Sequence, residues 1–273
     1  MIRELLLPFD FSDNSKTALH FAMSLQQKLK AHMSLIHTLE VPYDFASRQE
    51  ENKKAMEKQA RAQLKALVEE LYQTTTSADE LNLDMHILEG EVSEGILRAT
   101  RQYAADLVLM PTMGASGLKR FFLGSRTADV IHKSVKPVLV IPPKADFGKV
   151  KNLVFATSLK DKDIALLESV DDLAGKLGLG IVIAHIKEEE TKDFELKWRG
   201  MKDFAEEKIF QADVSYYSSN YDDYFEGIEH YLGKNPGSLL VMRRSTRSTI
   251  KDLFRKSHTE DMAYHANVPM LVF

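Results

Sequence analysis

Three glycines and a serine stand out in the segment MPTMGASGLKRFFLGSRTADVI: Gly114, Gly117 and the pair Gly124-Ser125. A glycine-rich loop that opens a helix presents backbone N–H groups and the positive end of the helix dipole, which together suit phosphate. Ser125 adds a hydroxyl at the helix start, either as a donor to an anion or as an N-cap. The segment has neither the GKS or GKT of a Walker A loop nor a GxGxxG pattern. On glycine count alone, a phosphate cradle and a structural turn are therefore equally open. The other chemical feature is a carboxylate, Asp10, at the end of the apolar run ELLLPF. No His, Asp or Glu cluster has metal-ligand spacing, and cysteine is absent, so no metal is expected. No nucleophile–base pair or acid–base carboxylate pair accompanies the loop, so no catalytic residue is assigned.

The elements that must position these groups come from an internal repeat. NLVFATSLK repeats the first apolar run 148 residues on, and His185 repeats His37 at the same shift. GSLLVM repeats ADLVLM, and VPMLVF repeats KPVLVI, at a shift of 132. The second copy is thus 16 residues shorter in its middle, where the first carries a long charged helix over 49–72. On that helix Ala60, Leu64, Leu67, Val68 and Leu71 fall at helical spacing. Pairs such as Glu50 and Lys54 suit its solvated face. The copies join at IPPKADFGK, which places the domains at 1–146 and 147–273.

Each copy reads as five strands alternating with helices. In the first, the strands are about ELLLPF, HMSLIHT, LDMHILE, DLVLMP and PVLVIP. The first helix sets Ala18, Phe21, Ala22, Leu25 and Leu29 on one face. EGILRATRQYA and TADVIHKSV are its third and fourth helices. Continuous apolar strands between amphipathic helices mean an α/β fold: a buried parallel sheet with helices on both faces. His37 and His185 end buried strands and read as satisfied structural residues. Glu188–Glu190 reads as a surface loop, and Tyr216, Tyr217, Tyr221, Tyr224 and Phe225 as an aromatic cluster shared between core and surface.

Composition narrows the function classes. The 273 residues are 44% hydrophobic and 28% charged, a globular balance. With 36 Lys and Arg against 40 Asp and Glu, the net charge of −4 favours neither nucleic acid nor an anionic membrane. No apolar run approaches the ~20 residues of a membrane helix, and the one at the N-terminus is too short for a secretory signal. A cytoplasmic location is expected.

LLLPFDFS with Ser15 and Ala18 after it, SLIH, MGASGLKRFFLGS and KPVLVIP together resemble the universal stress protein family, and the resemblance covers essentially the whole chain as a tandem pair. It implies two Rossmann-like domains, related to the adenine-nucleotide alpha hydrolases, each a five-stranded parallel sheet in the order 3-2-1-4-5. The SGG-x-D-S and H-x-G-H signatures of enzymes in that wider group are absent. The family's ATP-binding members use a loop of G, two residues, G, nine residues, G, then Ser or Thr. Here the first glycine falls on Pro111, the second is Gly114, and Gly124-Ser125 completes the loop. By this resemblance Asp10 and the backbone of Pro8 and Phe9 hold adenine and ribose. Thr38 and Met110 line the adenine side, and Gly114, Gly124, Ser125 and Arg126 hold phosphates. The implied cofactor is ATP or AMP. Phe9 replaces a small polar residue, so its ring either stacks on adenine or fills the adenine slot. Arg126 replaces an aliphatic residue. The implied role is a nucleotide-dependent regulator, at most a weak ATPase or self-phosphorylating protein, and the alternative is a nucleotide-independent member working through protein contacts. Family members dimerise through their last strands, so PVLVIP and VPMLVF are expected to pair within the chain, and two chains to form a homodimer.

The second copy lacks the features of the first. Asp10 becomes Ser158, Gly114 becomes Thr246, Gly117 becomes Thr249 and Gly124 becomes Lys256, while Ser125 is kept as Ser257. Its loop has no glycine and carries Arg243, Arg244, Arg247, Lys251, Arg255 and Lys256. The second domain is expected to bind no nucleotide and to be structural.

Overall fold

The computed structural model describes residues 2–40, 49–74, 82–112, 124–187, 192–208, 210–244 and 268–273. The chain divides into two compact units, one of Met1–Pro111 with Gly124–Val138 and a second that includes Leu139–Phe273.

In the first unit, strands β1 (Glu4–Pro8), β2 (His32–Leu39), β3 (Leu83–Glu89) and β4 (Leu107–Pro111) alternate with helices α1 (Asp13–Leu29), α2 (Gln49–Thr74) and α3 (Val92–Gln102). Helix α4 (Ser125–Lys133) follows, and strand β5 (Val138–Ile141) begins at the last residue of this unit. The strands are parallel in the order β3-β2-β1-β4. β5 starts beside β4, where the Val108 N–H donates to the Pro137 carbonyl at 3.0 Å. Leu5, Leu6 and Leu7 are all at 0% exposure, so successive residues, which point to opposite faces, are both covered. Each such leucine contributes ~1.5–3 kcal/mol of burial. Helix α1 buries Ala18, Leu19, Phe21, Ala22 and Leu25 against that core. The long α2 buries Ala60, Leu64 and Leu71, and its outer side carries the Arg61–Glu57 and Lys65–Glu69 pairs.

The second unit holds β6 (Asn152–Ala156), α5 (Asp161–Leu177), β7 (Gly180–Lys187), α6 (Lys192–Glu207), β8 (Val214–Asn220), α7 (Tyr224–Lys234), β9 (Ser238–Met242) and β10 (Met270–Val272). Its order is β8-β7-β6-β9-β10, again all parallel. Two backbone bonds recur at the shifts of the sequence repeat. Phe9 N–H donates to Ile36 O at 2.8 Å, and Thr157 N–H to Ala184 O at 2.9 Å. Thr112 N–H donates to Ile141 O at 3.0 Å, and Arg244 N–H to Phe273 O at 2.8 Å. Both helices that follow the first strands end in left-handed backbone, Lys30 after α1 and Gly178 after α5. Only Gly178 has the residue type that adopts it without steric cost.

The β8 aromatics divide between the faces of the strand, as alternation requires. Tyr216 meets Trp198 of α6 edge-on, and Tyr217 lies 4.3 Å from Tyr231 of α7. Tyr221 packs near His230, and Tyr224 near Phe225. The expected loop Glu188–Glu190 lies outside the described residues.

Candidate functional site

In the order 3-2-1-4-5, the direction of chain progression reverses between the first and fourth strands, which opens a crevice beyond their carboxyl ends. In the first unit that crevice lies between β1 and β4. Leu5 pairs with Leu107 and Leu6 with Val108, and continuing the register sets Pro8 and Phe9 alongside Met110 and Pro111. Asp10 follows at the exposed rim of β1. Its Oδ1 accepts from the Ser12 N–H at 3.0 Å. Partial desolvation pushes this carboxyl up, but hydrogen bonds from Ser12 and Ser15 outweigh it and hold Asp10 below the usual carboxylate range. Ser12 also caps α1 through the Ser15 N–H at 3.2 Å.

Across the crevice, Gly124, which has no side chain to cap with, occupies the N-cap of α4, so Ser125 is the first helical residue and not the cap. Ser125 and Arg126 are exposed. The first turn of α4 is tied to β4 by Thr127, whose Oγ1 donates to the Pro111 carbonyl at 3.2 Å. Thr112, the next residue, is buried, and its hydroxyl has no hydrogen-bond partner among the described residues. Gly114 and Gly117 lie outside the described residues.

Three side chains of the expected site have specific neighbours. Phe9 is only 3% exposed and meets Phe11 edge-on at 5.2 Å, and Phe11 lies 4.9 Å from His37. Thr38 turns onto α3, where a Cβ on Gly95 would come within 3.3 Å of its Oγ1. Met110 is 4% exposed within β4. Arg126 donates from Nη2 to both carboxylate oxygens of Glu40, the residue after β2, at 2.8 Å. Glu40 is a partner the sequence did not single out. Nor did it single out Glu91, whose carboxylate caps α3 by accepting from the Ser93 and Glu94 N–H groups.

The repeated histidines are structural anchors. His37 donates from Nδ1 to the Phe9 carbonyl at 2.7 Å, and His185 to the Thr157 carbonyl at 2.8 Å. A carbonyl only accepts, so Nδ1 carries the proton in both rings.

The equivalent crevice of the second unit is built differently. Ser158 stands where Asp10 would be, but Asp163, in the first turn of α5, supplies a carboxylate instead. Its Oδ2 accepts from Thr157 Oγ1 at 2.9 Å, Ser158 N–H at 2.9 Å, Ser158 Oγ at 3.2 Å and Lys160 N–H at 3.2 Å. Its Oδ1 accepts from Arg243 Nε at 2.7 Å. Burial alone would push the Asp163 carboxyl up, and the hydrogen bonds from Arg243, Lys160 and Thr157 hold it below the usual range. Tyr224 is pushed the other way by burial and by the Asp163 charge. Under the two shifts these positions correspond to Ser15 and Pro111. That change of residue types was the available sequence signal for the pair. The rest of the basic segment, from Arg247 to Ser257, lies outside the described residues.

Among the described residues no group of three or more His, Cys, Asp or Glu could hold a metal ion. No helix among them is long and apolar enough to cross a membrane.

Comparison with known proteins places these two folds. A family model described as "Universal stress protein family" matches residues 1–142. A universal stress protein of Thermus aquaticus is 28% identical over 144 residues, covering 52% of this chain and 99% of its own length. One from Methanocaldococcus jannaschii is 24% identical over 162 residues, covering 53% of this chain and 97% of its own. Among solved structures, a universal stress protein from Archaeoglobus fulgidus matches with a TM-score of 0.74 at 18% identity, over 98% of this chain and 97% of its own. A Pseudomonas aeruginosa protein described as a putative universal stress protein matches with a TM-score of 0.64 at 14% identity, over 100% and 93%. At these identities the structural matches speak to the fold.

Proposed function

The chain belongs to the universal stress protein family, and from that premise we propose that its first unit binds an adenine nucleotide, ATP or AMP, and acts as a nucleotide-dependent regulator and not as a dedicated enzyme. The observation that carries this reading is that Asp10, at the end of β1, and the N-terminus of α4, tied to the end of β4 through Thr127, stand at the carboxyl ends of neighbouring strands. One offers a carboxylate to ribose hydroxyls or adenine nitrogens, and the other offers N–H donors and a positive dipole end to phosphate. In this reading Pro8, Phe9, Asp10, Thr38 and Met110 form the adenosine side, and Gly114, Gly124, Ser125 and Arg126 the phosphate side. The second unit is structural, and no metal is needed from protein ligands.

Phe9 favours a second reading. Its ring is packed at 3% exposure, so it is also suited to fill the adenine slot. The chain would then be nucleotide-independent and work through protein contacts. In both readings the last strands, β5 and β10, pair the two halves within one chain, chains associate as homodimers, and the protein resides in the cytoplasm.

Mass spectrometry of the purified protein tests the first reading by seeking a co-purified nucleotide. Calorimetry with ATP and AMP on the parent, Asp10→Ala and Gly114→Asp locates the site. Gly114→Asp puts a side chain and a negative charge where phosphate must approach. Binding by the parent and loss in both variants is expected; equal binding by all three would misplace the site.

A further inference from the structure

The second crevice lies between β6 and β9, where the order β8-β7-β6-β9-β10 reverses. Arg243 follows β9, and Asp163 stands in the helix that follows β6. Their ion pair therefore crosses the place a ligand would enter. The pair is enclosed, with side-chain exposures of 2% for Asp163 and 25% for Arg243. It also consumes the local donors. Thr157 Oγ1, Ser158 N–H, Ser158 Oγ and Lys160 N–H, the groups at the end of β6, all point to Asp163 Oδ2. In the first unit the positions of Asp163 and Arg243 are held by Ser15 and Pro111, neither of them charged, and the carboxylate there, Asp10, is exposed at the rim.

We propose that the Arg243–Asp163 pair is an internal occupant that seals the adenosine side of the second crevice, and that removing both charges opens that side to the adenine and ribose of a nucleotide, although segment 243–257 has no glycine to let a phosphate approach. The guanidinium is a planar cation with several donors, and the carboxylate gathers the strand-end donors. Together they satisfy from within the groups an adenosine phosphate would otherwise use. A nucleotide entering against them would have to break a buried, hydrogen-bonded ion pair and leave the Asp163 carboxylate without its cation. The ligand class rests on the reading of the first unit; the seal itself rests only on the second.

The test is photolabelling with 8-azido-ATP followed by peptide mapping, on the parent and on Arg243→Ala combined with Asp163→Ser, each checked for folding by circular dichroism. The parent should label no peptide from 147–273, and the double variant should gain label there at least tenfold above background. Label on the second half of the parent, or none on a folded double variant, would overturn the seal. Label on the first half bears on the first-unit reading alone, so the two ideas fail separately. Should the double variant not fold, the parent decides. The Arg243 Nε–H resonance should stay unmoved at saturating ATP, and a shift would show that the pair yields to ligand.

Discussion

Phe11 and Leu159, 148 positions apart, hold the same left-handed backbone, with φ of 64° and 55°. Each sits where its unit's first strand turns into its first helix. Neither is a glycine, so each turn carries the contact between Cβ and carbonyl oxygen that disfavours this region, ~1–2 kcal/mol. The bend follows directly on Asp10 in one unit and on Ser158 in the other.

Leu159→Gly should therefore cost little or add up to ~1 kcal/mol, because relief of backbone strain offsets the loss of a half-buried side chain. Leu159→Val should destabilise by ~1–2 kcal/mol, since a β-branched residue fits that backbone worst. Urea unfolding of the two variants checks this. A Val variant as stable as the Gly variant would mean that the turn is not strained.

Gly227 of α7 lies against Ile186 of β7, and a Cβ there would come within 2.6 Å of Ile186 Cγ2. Ile186 is 2% exposed and has nowhere to move. Gly227→Ala should therefore destabilise by ~1–3 kcal/mol, despite a helix-propensity gain of ~1 kcal/mol. At the equivalent Gly95 the nearest atom is 3.3 Å away, on the adaptable Thr38 side chain, so Gly95→Ala should be close to neutral. Adding Ile186→Ala to Gly227→Ala should cost less than the two single changes summed. Thermal melts of the four variants decide it, and strict additivity would refute the contact.

The strands, the helices and the repeat were legible because they rest on local periodicity, which burial on both faces of β1, β4 and β6 reflects directly. The candidate site was legible where one residue carries it, as with Asp10 at a strand end. It was not legible where two distant charges meet. Asp163 and Arg243 are 80 residues apart, and Arg126 and Glu40 are 86 apart. Each charge taken singly reads as ordinary surface. The role of Ser125 depended on whether Gly124 or Ser125 begins the helix, a one-residue boundary that periodicity does not resolve. The expectation that the second unit had lost its carboxylate followed position 158 alone, whereas the fold brings one back from the next helix.

Glu229 of α7 is pushed up to about 7 by burial and by the charges of Asp223 and Glu226. The folded state thus keeps a proton that the unfolded chain loses near pH 4.5, so this group's contribution to stability falls as pH rises from about 4.5 to about 7. Glu229→Gln should stabilise the protein at pH 7.5 by on the order of 1–2 kcal/mol, after discounting for partial exposure, and change little at pH 4.5. Denaturant melts at the two pH values measure it. An equal effect at both would exclude ionisation as the cause.

Asp163 shows the opposite linkage. Its folded pKa is depressed, so its contribution is present above the usual carboxylate range near pH 4 and is lost as pH falls through the lower folded value. Asp163→Asn leaves the Arg243 guanidinium facing a neutral amide and replaces with a donor one oxygen of a carboxylate that collects five hydrogen bonds. At pH 7 the variant should lose ~3–5 kcal/mol, the range for breaking one side of a buried pair. Arg243→Met combined with Asp163→Asn should recover part of that loss, because no uncompensated charge remains. At pH 3 the gap between parent and Asp163→Asn should narrow, because below about pH 4 the unfolded chain takes up a proton that the folded carboxylate resists. Urea titrations of the three proteins at both pH values give the comparison. A gap that stays constant from pH 7 to pH 3 would show that Asp163 holds the β6–α5 turn by shape alone, and that its charge has no part in closing the second crevice.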